Sequence, residues 1–421
     1  MDKTRIERLY ELYCELFARC VAESDHLKLP SFHNFLSCFV NARFCHGDAE
    51  IPPMVHLMML QESGSGKGRV QRFIATLLED LGKDAKIVNE FTTAGVIGTI
   101  HQPTGDEDEP RPLEHLRELQ FLGIDEMTVF TCKPNSHAAN FIPVINGYMD
   151  TGRVRKQMAD GALDYSATCT LSFGSFVDNS VQRTVLHTGF VQRCWLTYKE
   201  FTDEESRVLR RSMDRLAELP KDDGTRLRFI GGLKTLIGEF ATADSTMLTL
   251  TKGIGQYLTD QFENLERSIK IDDLSDDLRT VFRSSLSRSK QLVYKLILHY
   301  VYVNGDSDAT SLAVDYAIKG VGQHLQSFVS LLRFMEQCAL PAGVRASTRL
   351  AVREGTKKKL IEHGKAIGTF TRKELHTSLK HQWGVDVGSN LIDELLQELI
   401  GKGVFTVSKG QNNETKLKYV T

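Results

Sequence analysis

Nowhere do the 421 residues run to 18 uninterrupted apolar positions, so no membrane-spanning helix is expected. The first eight residues, Met-Asp-Lys-Thr-Arg-Ile-Glu-Arg, are charged and lack the apolar core of a secretory signal, which points to a cytoplasmic protein. None of the eight cysteines forms a C-x-x-C pair, which argues against a zinc ribbon or a thioredoxin-like centre. Cys38, Cys45 and His46 match no common metal spacing, and reduced, buried thiols are the simpler reading. Internal repeats and low-complexity segments are also missing. An excess of either charge is lacking overall: 52 Lys and Arg against 54 Asp and Glu leave a net charge of −2, no global signature of a nucleic-acid partner. The balance is uneven along the chain. From Pro341 onward 14 basic residues face 8 acidic ones, a local +6, so the preceding 340 residues carry −8. Such asymmetry can mark an interaction module on a near-neutral body.

What is present is ordinary in bulk and specific in detail. The chain is 41% hydrophobic and 25% charged, as soluble globular proteins are, and its length predicts two or three domains. Ile6, Leu9, Tyr10, Tyr13, Leu16, Phe17, Cys20 and Val21 recur at helical spacing over 4–24, and a second helix is expected over 32–43. Residues 55–60 form a short apolar run that enters a Gly/Ser cluster. Val70, Phe73, Ile74, Leu77 and Leu78 then make 67–81 helical: strand, glycine loop, helix. Strands are expected at 85–89 and 119–125, with a short helix over 93–100 and a solvated acidic loop at 105–110. A helix over 138–150, a β-hairpin over 153–165 turning at Asp160-Gly161, and strands at 167–173 and 190–198 follow. Residues 203–338 read as mainly helical. After a break at Leu340-Pro341-Ala342-Gly343 come three helices (350–363, 372–382, 389–401) and a hairpin (404–408 with 417–420), the winged-helix pattern.

Gln61-Glu62-Ser63-Gly64-Ser65-Gly66-Lys67-Gly68 is the most informative segment. Glycines let backbone N–H groups turn inward around phosphate oxygens, and the following helix offers its positive end. Lys67 is then placed to reach the β- and γ-phosphates. Glu62 through Arg69 is the candidate nucleotide-binding loop; a solvent-exposed turn is the alternative. Gln61 stands where the full pattern has its first glycine and Gly68 where it has Ser or Thr. Without that hydroxyl, a water is expected to complete the Mg²⁺ shell. Phe121-Leu-Gly-Ile-Asp125-Glu126 supplies a carboxylate at a strand end to hold the metal and a neighbour to polarise an attacking water. An Asp-Glu pair that caps a helix is the bland alternative.

With these two motifs in order, the chain resembles the AAA+ ATPases. More narrowly, it is similar to the MCM-like branch, including phage and mobile-element primase-helicase ATPases and the Lon-like ATPase of BREX phage defence. The likeness spans roughly 30–335 as motifs in sequence. Thr92-Thr-Ala-Gly-Val-Ile-Gly98 sits where these families carry a Ser/Thr-Ala-x-Gly-Leu-type segment. Gly147-Tyr-Met-Asp-Thr-Gly152 and the basic hairpin after it resemble their helix and pre-sensor hairpin. Ser175 falls at the sensor-1 position, where Asn is usual. Phe190-Val-Gln-Arg193 lies where the branch has an arginine finger, whose guanidinium serves a neighbouring subunit's nucleotide. Arg193 as a surface charge at a strand end is the alternative. Arg288 fits the sensor-2 spacing, with Arg283 a close rival.

The resemblance implies a three-layer α/β/α P-loop core, ATP and Mg²⁺ as ligands, and a homo-hexameric ring. Four regions follow: 1–50 a helical N-terminal segment, 51–200 the AAA+ core, 201–340 a helical lid, and 341–421 a winged-helix domain. Arg153, Arg155 and Lys156 on the hairpin would face DNA in the pore, contacting phosphates without reading bases. In the tail, Arg372, Lys373, Lys380, Lys409, Lys416 and Lys418 supply the positive charge. Helix 389–401 holds Asp393, Glu394 and Glu398 and no Lys or Arg, so a protein-contacting winged helix stays open. The lysines at 357–359 read as a solvated helix face. The expected activity is that of a DNA helicase or initiator of a phage or mobile element, with a primase or initiator partner and no membrane. A defence or regulatory ATPase that clamps duplex DNA or remodels protein, and an ATP-switched DNA-binding scaffold, are the alternatives.

Overall fold

The short apolar runs and the amphipathic helices between them build a mixed α/β structure, seen in a computed structural model. It describes residues 3–21, 24–62, 65–89, 93–101, 111–125, 141–158, 161–175, 189–218, 223–240, 246–339, 357, 360–371, 374–375, 389–409 and 415–420. Two units are present, Met1–Glu336 and Gln337–Thr421, each with its own apolar core.

Helices Arg5–Cys20 and Asp25–Leu36 open the first unit, followed by β1 (Ala42–His46) and β2 (Ala49–Ile51). Next come β3 (Leu57–Gln61), helix Lys67–Asp80, β4 (Ala85–Val88), helix Thr93–Ile97, β5 (Thr99–His101), β6 (Arg111–Leu113), helix His115–Glu118 and β7 (Phe121–Ile124). Helix Phe141–Thr151 leads into β8 (Arg153–Met158), β9 (Gly161–Ser166), β10 (Thr170–Ser175) and β11 (Trp195–Lys199). Helices Asp203–Glu218 and Asp223–Phe240, β12 (Thr246–Leu248), and helices Lys252–Ser268, Asp276–Asn304 and Ser311–Ala339 complete it.

Five of these strands form one parallel sheet in the order β11-β3-β10-β7-β4. A parallel sheet is covered on both faces, so its central strands read as continuous apolar runs rather than alternating ones. β3, β7 and β10 are accordingly buried at every position. From β3 the chain crosses to the far edge at β4, returns through β7 and β10, and then adds β11 on the other side of β3. The strand order therefore reverses around β3, and the crevice at the carboxyl ends of strands at such a point is where open α/β sheets bind ligands.

The N-terminal helix starts on a capping box between Thr4 and Glu7 and buries Ile6, Leu9, Tyr13, Leu16 and Phe17. Tyr13 and Phe17 meet Phe73 edge-on at 5.4 and 5.6 Å, which seats the helix against Lys67–Asp80. The second helix covers Asp25–Leu36 rather than 32–43. Residues 42–46 are strand instead because β1 finds partners on both sides: β2 antiparallel and β12 parallel, in register Ala42↔Thr246. A second unexpected strand pair, β5 with β6, brackets the acidic loop at 105–110, which lies outside the described residues.

Beneath the sheet runs a chain of buried histidines. His299 Nε2 lies 2.9 Å from the Pro53 carbonyl, His299 Nδ1 2.9 Å from His33 Nδ1, and His33 Nε2 2.8 Å from the Tyr316 hydroxyl. Because the Pro53 carbonyl can only accept, His299 donates from Nε2 and accepts at Nδ1. His33 then donates from Nδ1 and accepts the Tyr316 proton at Nε2. Every hydrogen bond is satisfied with both rings neutral. His56 accepts from the Leu171 N–H and His324 from the Leu196 N–H, so these two are neutral acceptors as well.

In the second unit, helical residues 360–367, β13 (Thr369–Thr371), helix Ser389–Gly401, β14 (Phe405–Lys409) and β15 (Thr415–Tyr419) enclose Leu360, Phe370, Leu395, Leu399 and Phe405. The expected hairpin is present, and β13 joins it to give the order β13-β15-β14. Gly368 turns the chain into β13 with φ +75°, a left-handed conformation that glycine adopts without strain. After β13, Thr371 and Glu374 exchange the two hydrogen bonds of a capping box. Among the described residues no helix is long and apolar enough to cross a membrane.

Candidate functional site

β3 ends in Gln61 and the helix after it begins at Lys67, with Gly66 between at φ +92°. From that left-handed turn the helix starts with the Arg69 and Val70 N–H groups on the Gly66 carbonyl at 3.0 and 3.1 Å. Lys67 is nearly buried, and its Nζ donates to the Gln61 and Glu62 carbonyls at 2.8 Å each. Backbone carbonyls at the end of β3 thus help to hold the ammonium. Gln61 belongs to the strand, and its buried side-chain amide reaches 2.7 Å to His26 Nε2, away from the loop. That orientation explains how Gln replaces a glycine here. Glu62 is exposed and Arg69 half-exposed. Ser65 is buried, and its hydroxyl has no partner among the described residues. Ser63 and Gly64 lie outside the described residues.

Asp125 follows β7 directly, its N–H bonded to the Val88 carbonyl at 2.9 Å. Its carboxylate rests between two glycines. A Cβ at Gly68 would stand 2.6 Å from Oδ2, and one at Gly174 would stand 3.2 Å from Oδ1. The carboxylate therefore occupies the space that a side chain at position 68 would enter. Ser175 ends β10 between the loop and Asp125, nearly buried and paired in register with Leu60. Lys67, Asp125 and Ser175 thus gather at the carboxyl ends of three adjacent strands. Glu126 lies outside the described residues.

Gln71 escaped sequence reasoning. One turn beyond Lys67, its Nε2 donates to the Ile124 and Ser172 carbonyls at 3.1 and 2.9 Å. Gly123 lies against it, and a Cβ there would come to 3.4 Å of Gln71 and a tighter 3.2 Å of Ile87. The loop's helix is so clamped to β7 and β10, the strands that carry Asp125 and Ser175. A polar residue on an otherwise buried helix face was the available signal.

Arg193 lies on a short 3₁₀ turn, Val191–Arg193, rather than on a strand, because β11 begins only at Trp195. Its Nε and Nη2 fork onto the two Asp150 oxygens at 2.9 and 2.8 Å, while Nη1 donates to the Gly189 carbonyl at 2.8 Å. Arg288 Nη1 reaches the same carboxylate at 3.2 and 3.3 Å. Both arginines therefore share one carboxylate at the amino-terminal side of β11. A five-residue strand is about 16 Å long, so they stand roughly that far from the loop at the sheet's other end. Burial brings the nearby Lys295 ammonium down to about 8, only partly offset by Asp150. Arg283 is exposed.

On the hairpin, β8 and β9 pair from Arg153↔Ser166 to Met158↔Gly161. Alternation places exposed Arg153 and Arg155 on one face and half-buried Lys156 on the other, so the three do not form one basic surface. Arg153 forks onto Asp164 at 2.5 and 2.8 Å, and Arg155 stands 3.7 Å from the same carboxylate. This pairing holds the Asp164 carboxyl below its usual range. In the second unit, Lys416 and Lys418 share one face of the central strand β15, Lys416 paired in register with Thr371 and Ser408, Lys418 with Thr369 and Thr406. Lys409 ends β14. Glu398 accepts from Lys357 and Lys402 at 2.6 Å each, so part of the acidic charge on helix Ser389–Gly401 is offset locally. Arg372, Lys373 and Lys380 lie outside the described residues.

Among the described residues no group of three or more His, Cys, Asp or Glu side chains is placed to hold a metal ion. A single carboxylate, Asp125, beside the candidate nucleotide loop would fit Mg²⁺, which binds through one or two carboxylates plus substrate phosphates rather than in an all-protein cage. The chain matches no protein-family model and no curated protein.

Proposed function

We propose that this chain is a ring-forming AAA+ ATPase that moves on DNA, serving as helicase or initiator in the replication of a phage or mobile element. One observation carries the reading: the Lys67 loop and the Asp125 carboxylate meet across β10 at the point where the strand order reverses. On ATP binding, Lys67 would exchange the Gln61 and Glu62 carbonyls for β- and γ-phosphate oxygens. Asp125 would hold Mg²⁺, which supplies charge neutralisation along the phosphates. Glu126, next along the chain, would polarise the attacking water. Arg193 and Arg288 stand about a strand length from their own loop, so in this reading they would complete the site of a neighbouring copy in a ring, a homo-hexamer by the AAA+ resemblance. The helix–strand–helix order with β13 joined to the β14–β15 hairpin supports a winged helix in the second unit. It offers Lys416 and Lys418 to DNA or to a primase or initiator partner.

The test is ATP turnover by wild type and Lys67→Ala, with and without DNA, followed by strand displacement on a forked substrate. Turnover that survives Lys67→Ala would sink the proposal. A second reading, an ATP-switched clamp or scaffold on DNA, is favoured by the internal pairing of Arg193 with Asp150 and of Arg153 with Asp164. DNA binding without displacement would select it.

A further inference from the structure

Gly68 and Asp125 were separate features of the sequence, one a defect in the loop and the other a strand-end acid. In the structure they are two halves of one contact. Gly68 is the second residue of helix Lys67–Asp80 and has no left-handed backbone, so conformation alone does not call for glycine there. Space does. Any Cβ would stand 2.6 Å from Asp125 Oδ2, with the Arg72 guanidinium bordering the same space at 3.6 Å. On the other side a Cβ at Gly174 would press Oδ1 at 3.2 Å, so the carboxylate sits in a space that two positions without side chains leave open.

A carboxylate at a helix N-terminus is favoured by the helix's partial positive charge. The same place is where the loop must receive phosphate. Bare nucleotide would meet like charge there, and a cation between the two relieves it. We infer that Asp125 coordinates the divalent metal directly, taking the place that a loop hydroxyl would hold, and that Gly68 is the residue that makes this possible. Nucleotide binding is then unusually dependent on metal. This rests on the phosphate-loop reading above and adds which group completes the metal's shell.

The opposing view treats Gly68 as a loss, with water replacing the hydroxyl. The two views diverge on Gly68→Ala and Gly68→Ser. Ala and Ser suit a helix better than Gly does, and only the end of a side chain must move, so both variants should fold, as thermal melting will check. Fluorescent ATP is titrated into each at graded Mg²⁺ and in EDTA, and the gain in affinity from Mg²⁺ is read as a ratio within each variant. Direct coordination by Asp125 predicts that both substitutions cut this ratio tenfold or more, and to a similar extent, because the Cβ does the harm. A ratio that rises in Gly68→Ser, or stays unchanged in Gly68→Ala, overturns the inference.

Asp125→Cys gives an independent reading, since a thiolate prefers soft metals. Cd²⁺ should restore nucleotide affinity to this variant tenfold better than Mg²⁺ does. Failure of Cd²⁺ to rescue a folded Asp125→Cys would place a water between residue and metal and overturn the inference. If wild type binds no nucleotide at any Mg²⁺ concentration, the phosphate-loop reading fails and takes this inference with it. Binding that is lost in Lys67→Ala but indifferent to metal in wild type removes the inference alone.

Discussion

Acidification from pH 7.5 to 5.5 should destabilise the first unit far more than titration of surface groups would. Five histidines are responsible, four of them fully buried and His26 partly so. Burial brings His26, His299 and His324 down to about 4, and holds His33 and His56 well below the ordinary imidazole range. A free imidazole titrates near ~6.5. In this pH range the unfolded chain therefore binds protons that the native rings refuse. Stability is fully present above ~6.5 and falls as the pH drops toward the native values. For one ring with pKa 6.5 unfolded and about 4 folded, linkage gives about 1 kcal/mol lost between pH 7.5 and 5.5. His299, His324 and His26 together lose about 3–4 kcal/mol, a large share of a domain's stability, and His33 and His56 add to the loss in the same direction. The carboxylates held below their usual range by ion pairs, such as Asp164 and Asp273, act at lower pH and do not confuse this window.

Trp195 is a built-in probe, stacked on His33 at 5.7 Å between centroids. Urea unfolding is followed by its fluorescence at pH 7.5, 6.5 and 5.5, in a Trp383→Phe background so that Trp195 reports alone. The expected result is a steep fall in midpoint at constant slope. His324→Gln, which can still accept from the Leu196 N–H, should remove about a fifth of the pH dependence. A midpoint that is flat or rises between pH 7.5 and 5.5 would refute the neutral-histidine account.

Other consequences are quicker to check. Glu126→Gln should retain ATP binding and lose steady-state phosphate release by two orders of magnitude or more; unchanged release removes the residue from the chemistry. Arg193→Ala mixed with wild type should depress ATPase activity beyond simple dilution, because each arginine would serve a neighbour. Asp150→Ala should lower stability by about 1–3 kcal/mol in thermal or urea unfolding, since it strands the largely buried Arg193 and leaves Arg288 unpaired from it. On the hairpin, Asp164→Asn should tighten DNA binding and steepen its salt dependence by about one phosphate contact, while Arg155→Ala does the reverse. If neither variant alters the salt slope, the hairpin does not touch DNA.

Local signals in the chain reached some of this and stopped short of the rest. Continuous apolar runs marked β3 and β7 because strands of a parallel sheet are buried on both faces. The glycines after β3 and the carboxylate after β7 marked two segments that the fold brings side by side, and the charge step after Pro341 fell close to the boundary of the second unit. The helix expected over 32–43 failed for a nonlocal reason: Ala42–His46 is a strand only because Thr246–Leu248, some 200 residues later, supplies its parallel partner. Likewise, a basic run of Arg153, Arg155 and Lys156 looks like one patch in sequence and is divided between two faces by the strand's alternation.

By itself, then, the sequence determined composition, element type and the order of chemistry-bearing residues, since those follow from short-range periodicity and turn chemistry. Tertiary structure alone decided which of them meet. It placed Asp125 in the space vacated by a Gly68 side chain, clamped the loop's helix with Gln71, and brought Arg193 and Arg288 onto Asp150 from positions far apart in the chain. Those contacts depend on strand order and register, which are settled by how the whole core packs and not by any window of residues.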